Sequence, residues 1–119
     1  MGDPNDGFAQ YFVGQSYLAP VLDAPEIAIH NVTFEPGCRN HWHIHHGGAQ
    51  VLIAVGGRGY YQIDGQEPKG LKAGQAVCIP ADTKHWHGAA PGEAFSHLAF
   101  MVPAGDPSAM SNEWLEPVD

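Results

Sequence analysis

The chain has 119 residues, 44% of them hydrophobic, and a formal charge of −8 with only five Lys plus Arg. That length suits one domain with a single core and is too short for two ordinary ones. So few basic residues leave no stripe for nucleic acid or an anionic membrane surface, no apolar run approaches the ~20 residues of a spanning helix, and two cysteines cannot build a disulfide-dense scaffold.

Residues 1–15 are polar and Gly-bearing, with Phe8, Tyr11, Phe12 and Val13 as anchors; they read as an N-terminal arm or a strand added to a neighbouring sheet. The first residues have neither a basic head nor an apolar stretch, so no secretion signal is read there and the expected compartment is the cytoplasm. Glu26 to Phe34 is β-branched and uninterrupted and stops at Pro36-Gly37, a strand followed by a turn. A short segment around Asn40 to His45 follows. Ala49 to Gly57 has the length and composition of a buried strand. Arg58 to Gln66 continues as a strand that closes on Asp64-Gly65, a two-residue hairpin signal. Gln75–Ile79 is a strand ended by Pro80, and Ala94–Val102 a last long strand ended by Pro103. The tail, with Trp114 and Leu115, is expected to dock back or to pack on a partner.

No segment keeps a helical apolar period over ten residues, and the fifteen Gly and ten Pro suit short strands and turns. Roughly eight to ten strands at close spacing argue an all-β sandwich or barrel. The expected division is an arm at 1–15, a barrel at 16–103 and a tail at 104–119.

Eight histidines are many for this length, and histidine is both the commonest metal ligand and the side chain that titrates nearest neutrality. His43 and His45 are two apart, so on a strand they enter the same space. Gln50 follows the Gly-rich loop Gly47-Gly48, which lets the chain double back. His85 comes later, after the turn at Pro80 to Thr83. Three imidazole nitrogens and one amide oxygen make a partial coordination sphere with room for water or substrate; the plainer alternative is a set of satisfied core histidines, with Gln50 outside the sphere. His87 shares the parity of His85, and His97 lies in the last strand with Ala99 and Met101 on its face. Either could move a proton or simply donate to a backbone carbonyl. His41 and His46 read as rim residues, and Trp42 and Trp86 alternate with the ligand candidates and so face away from them. Tyr61 reads as core or as a pocket hydroxyl, and Cys38 and Cys78 as free buried thiols.

Gly37, His43, His45, Gln50 and Gly57 are spaced like the first motif of the cupin family, and Gly74, Pro80 and His85 like the second, with sixteen residues between them. The chain resembles small single-domain bacterial cupins. Its Lys84-His85-Trp86-His87-Gly88 segment and Ser96-His97 are similar to a narrower group with a His-His-Gln-His site, which includes manganese hydroxynitrile lyases and carboxymuconolactone decarboxylase-associated cupins. Three positions depart from the family pattern: Gln50 replaces a glutamate, Asp82 a glycine and Ala89 an asparagine. The first matters most, because a neutral amide leaves the charge of about +2 on the metal uncancelled.

The resemblance implies a double-stranded β-helix, or jelly-roll, barrel holding one divalent ion (Mn, Fe, Zn or Ni) on His43, His45, Gln50 and His85. It implies lyase or decarboxylase-like chemistry on a small hydroxylated or carboxylated compound, with His97 or His87 moving the proton. An Fe-dependent dioxygenase and a non-catalytic ligand-binding sensor are the alternatives. The expected partners are a small-molecule substrate and a second copy of the chain, a homodimer, with no nucleic acid and no membrane.

Overall fold

The computed structural model describes residues 3–4, 12–23, 28–105 and 110–118. Phe8 and Tyr11 lie outside them. The described residues form strands and no helix. The strands are β1 (Asp3–Pro4), β2 (Phe12–Val13), β3 (Ser16–Asp23), β4 (Ala28–Phe34), β5 (Arg39–Asn40) and β6 (His43–His46). There follow β7 (Gly48–Ile63), β8 (Lys69–Lys72), β9 (Ala76–Ile79), β10 (His85–Ala89), β11 (Phe95–Pro103) and β12 (Ser111–Trp114).

All pairings are antiparallel, and two sheets share one long strand. The first sheet runs β1-β3-β4-β11-β7-β9. The second places β8 and β10 on either side of β7, then β5 and β6 along β10, with β2 on β5 and β12 on β6. The result is the all-β jelly roll that the resemblance implies.

β7 makes this possible by changing sheets halfway. Its first half pairs with β11 and β9, its second with β10 and β8. The crossing has two local causes. Ser96 faces Gly56 while His97 faces Ala54, so Val55 is an unmatched residue, a β-bulge. Because side chains alternate with period two, one extra residue reverses which positions face inward: Leu52 and Ala54 line the core before the bulge, and Tyr61 packs on it after. Gly57 then takes φ +72°, and a Cβ there would sit 1.8 Å from the Ala94 carbonyl oxygen, so only glycine passes this corner.

The core between the sheets holds Val32, Phe34, Cys38, Leu52, Ala54, Leu71, Ala89 and Phe95. Phe34 and Phe95 stack with centroids 6.3 Å apart, and truncating either to Ala should cost about 3–5 kcal/mol.

Four details differ from the sequence reading. Pro20 obscures β3, yet among the described residues β1 covers β3 only at Tyr17 and Leu18, so Pro20 stands on an open edge that tolerates proline, and the pairing with β4 slips between Pro20 and Leu22. Asp64-Gly65 is a turn, with the Gln66 amide donating to the Ile63 carbonyl, but the ladder with β8 ends at Tyr61 and Lys69, so the connection is longer than a two-residue hairpin. Cys78 is exposed and only Cys38 is buried, because Ile79 takes the inward position on β9. β8, short and flanked by loop, has no clear pattern in the sequence.

Candidate metal centre

β6 and β10 run side by side, with His43 opposite His85. Parity sends His43, His45, His85 and His87 inward, and all four are buried. The rings of His43 and His85 lie 4.2 Å apart, and that of His45 is 4.9 Å from His43 and 5.4 Å from His85. Gln50 enters from β7: its Oε1 lies 3.1 Å from His45 Nε2 and 3.2 Å from His85 Nε2.

The second nitrogen of each ring is already committed. His43 Nδ1–H donates to the His41 carbonyl at 2.8 Å, and His85 Nδ1–H to the Thr83 carbonyl at 2.9 Å. His45 Nδ1–H donates to Asn112 Oδ1 at 2.6 Å. A proton held on Nδ1 leaves Nε2 as a lone pair, the tautomer that binds metal. Burial also keeps all three rings neutral. It lowers His43 well below the usual imidazole range, with the nearby His85 ring adding to the effect, lowers His45, and holds His85 at about 4. No Asp or Glu is among the buried described residues. Neutral imidazole nitrogens and an amide oxygen suit a divalent cation whose charge the protein leaves uncancelled.

Nitrogens of His43, His85 and His87 also come within 4.8 Å of one another, a cluster that could hold a metal ion. The hydrogen bonds of His87 count against its membership. Asn40 Oδ1 accepts the His87 backbone N–H at 2.9 Å. That fixes the amide, so Asn40 Nδ2 faces His87 Nε2, at 3.0 Å, and donates to it. The neutral ring must then carry its proton on Nδ1, which leaves neither nitrogen free as a ligand.

His97, brought in by β11, packs edge-on to His87 with centroids 4.9 Å apart. Phe34 lies against both, at 5.7 and 5.5 Å. Burial lowers His87 well below the usual range and holds His97 at about 4. His97 Nδ1–H donates to the Leu98 carbonyl at 3.4 Å. Two buried atoms of this pair, His87 Nδ1 and His97 Nε2, have no hydrogen-bond partner among the described residues.

The remaining candidates lie outside this cluster. His46 is on the surface between Asp82 Oδ1 (3.0 Å) and Glu113 Oε1 (2.8 Å). The His41 carbonyl serves His43. Trp42 carries the Lys84 ammonium 5.2 Å above its ring. Trp86 donates its indole N–H to Gln62 at 2.8 Å and lines a shallow outer groove with Arg39, Tyr60 and Val118. Tyr61 packs on the core.

Sequence reasoning missed Asn40 and Asn112. β12 docks on β6 so that Asn112 faces His45 and Trp114 faces His43, its indole 4.8 Å from the imidazole. The tail is also held by Lys84–Glu116 and by Arg39 donating to the Val118 carbonyl. Nothing local marks either asparagine: each reaches its histidine from a strand far away in sequence.

Residues 30–103 match the family model described as a cupin domain. The (R)-mandelonitrile lyase of Granulicella tundricola is 41% identical over 98 residues, covering 80% of this chain and 74% of that protein. Among solved structures, a cupin-like protein from Thermotoga maritima superposes with a TM-score of 0.87 at 34% identity, covering 99% of this chain and 87% of that one. A DMSP lyase from Ruegeria pomeroyi shares the fold, with a TM-score of 0.69 at 16% identity, covering 97% of this chain and 57% of that one.

Proposed function

The chain belongs to the cupin domain family, and on that premise we propose that it is a metal-dependent lyase acting on a small α-hydroxy compound of the cyanohydrin kind. The observation that carries the reading is a buried neutral base, His97, whose Nε2 has no partner and which sits beside a cluster of histidines with their Nδ1 atoms committed. The relative named for mandelonitrile cleavage supports the choice of substrate class.

His43, His45, Gln50 and His85 would hold the ion, which when bound supplies a Lewis acid that brings the acidity of a hydroxyl within reach of a weak base. His97, held at about 4 by burial, is unprotonated at neutral pH and accepts. The substrate hydroxyl donates to His97 Nε2 and its proton moves there. The O–H electron pair forms the carbonyl, and the C–C bond to the nitrile breaks with its pair leaving on cyanide. The proton then passes from His97 to cyanide, so that aldehyde and HCN leave and the base is restored. Phe34 and Phe95 pack on the His97 ring at 5.5 and 5.4 Å, and its Nε2 is buried. A homodimer is part of the proposal, supported by the exposed apolar side chains Val21, Val55 and Val102; a monomeric mass by light scattering at micromolar concentration would remove it.

The test loads the metal-free protein with Mn, Fe, Ni or Zn in turn and follows aldehyde release from racemic mandelonitrile. Metal-dependent release without oxygen uptake is the expected result. No release above the uncatalysed rate with any metal overturns the lyase; oxygen uptake by the iron-loaded protein would then select a dioxygenase, and binding without turnover a sensor.

A further inference from the structure

The two orphan atoms of the deep pair are complementary. Buried polar groups are nearly always paired, so each exception calls for an explanation. His97 donates from Nδ1 to the Leu98 carbonyl, so its orphan Nε2 is an acceptor. Asn40 settles His87 the other way. Its Oδ1 is taken by the His87 backbone N–H, its Nδ2 must donate to His87 Nε2, and the orphan Nδ1 is therefore an N–H donor. The two rings are 4.9 Å apart, both buried, and Phe34 packs against each. An unpaired donor on one ring and an unpaired acceptor on the ring packed against it call for a group that both accepts and donates, as a hydroxyl does.

We infer that Asn40 is a positioning residue: it locks His87 as a hydrogen-bond donor at Nδ1, so that His87 and His97 meet a ligand hydroxyl with opposite polarity. The inference rests on the proposed function for the identity of that ligand, but not for the tautomer. It divides the work between the two histidines. His97 takes the hydroxyl proton, and His87 cannot act as the base, because its only free nitrogen already carries hydrogen. His87 instead donates to the substrate oxygen, whose negative charge grows as that proton leaves. Leaving a buried donor or acceptor unsatisfied is costly, which gives the pair a preference for hydroxyl ligands over shapes without one.

The experiment reads tautomers directly, by long-range 15N–1H correlation of the imidazole rings in the zinc-loaded, diamagnetic protein. Wild type should show His87 protonated on Nδ1 and His97 also on Nδ1. Asn40→Asp keeps the shape and the acceptor for the His87 amide, but its other oxygen can only accept, so the His87 proton should move to Nε2. Benzyl alcohol, used as a hydroxyl probe, should shift the His87 and His97 nitrogens in wild type and bind about tenfold more weakly to Asn40→Asp, one lost hydrogen bond. A wild-type His87 protonated on Nε2 overturns the inference without any variant having to fold. So does an Asn40→Asp protein with an unchanged His87 tautomer, or one that binds the probe as wild type does. If the tautomers hold while no cyanohydrin is cleaved, the assignment of reaction fails and the role of Asn40 stands.

Discussion

His43, His45 and His85 differ from His87 and His97 in what meets their second nitrogen, although all five are buried and their rings pack in one cluster. The first three each spend Nδ1–H on a carbonyl or amide oxygen and turn Nε2 toward their neighbours. In the deeper pair, one ring receives a hydrogen bond from Asn40, the other gives one to its own backbone, and each keeps an unpartnered atom. The lesson is that residue type places an imidazole in a site, while the hydrogen bond behind it decides whether it offers a lone pair to a cation, a lone pair to a proton or an N–H to an oxygen.

The sharpest way to break this comparison is His97→Ala. Turnover of mandelonitrile should fall about 10²–10⁴-fold, the span expected for loss of a general base, with metal content unchanged by elemental analysis. Loss of metal in that variant would merge the two groups into one.

Acid should separate folded from unfolded chain next. His85 and His97 are lowered from 6.5 to about 4 by burial. Below pH 6.5 the unfolded chain binds protons that the folded one refuses, so the stability of the metal-free protein is full above that pH and falls on acidification toward pH 4. Each group contributes about 1.4 kcal/mol per pH unit. Surface His46 works in the opposite sense: its hydrogen bonds to Glu113 and then Asp82 raise it, so its contribution is present at low pH and lost as pH rises through the raised value. Urea midpoints between pH 4 and pH 8 check the balance; a flat profile over pH 4 to 6.5 would contradict neutral burial of the histidines.

Asn112→Ala should weaken metal affinity about 10–100-fold, the usual effect of removing the group behind a ligating imidazole, and should leave the His87 and His97 resonances in place. Equal affinity by competition with a chelating dye would mean that His45 needs no such support. The smallest effect expected is that of Gln50→Glu. It keeps reach and adds one negative charge, so azide should bind the loaded site more weakly and turnover should slow roughly tenfold, about 1.4 kcal/mol. Unchanged azide binding at equal metal content would move Gln50 out of the coordination sphere.

Much of this was legible in the chain, and the limits follow from locality. The alternation that turns His43, His45, His85 and His87 to one side is a two-residue property, and the turn residues around Pro36-Gly37, Asp64-Gly65 and Pro80 mark where strands stop. The bulge at Val55 was not legible, because an unmatched residue exists only relative to the strand beside it. Cys78 shows the same limit: its neighbours in sequence do not say which side of β9 meets the core.

By itself, then, the sequence determined an all-β chain with His43, His45, His85 and His87 at inward parity, since these rest on period-two patterning and turn chemistry, while the cupin barrel was what its motif spacing resembled. Only the tertiary structure decided what each histidine can do. Asn40 reaches His87 across 47 positions and Asn112 reaches His45 across 67. Hydrogen bonds of that separation fix a tautomer only after the sheets have closed and brought donor and acceptor within 3 Å.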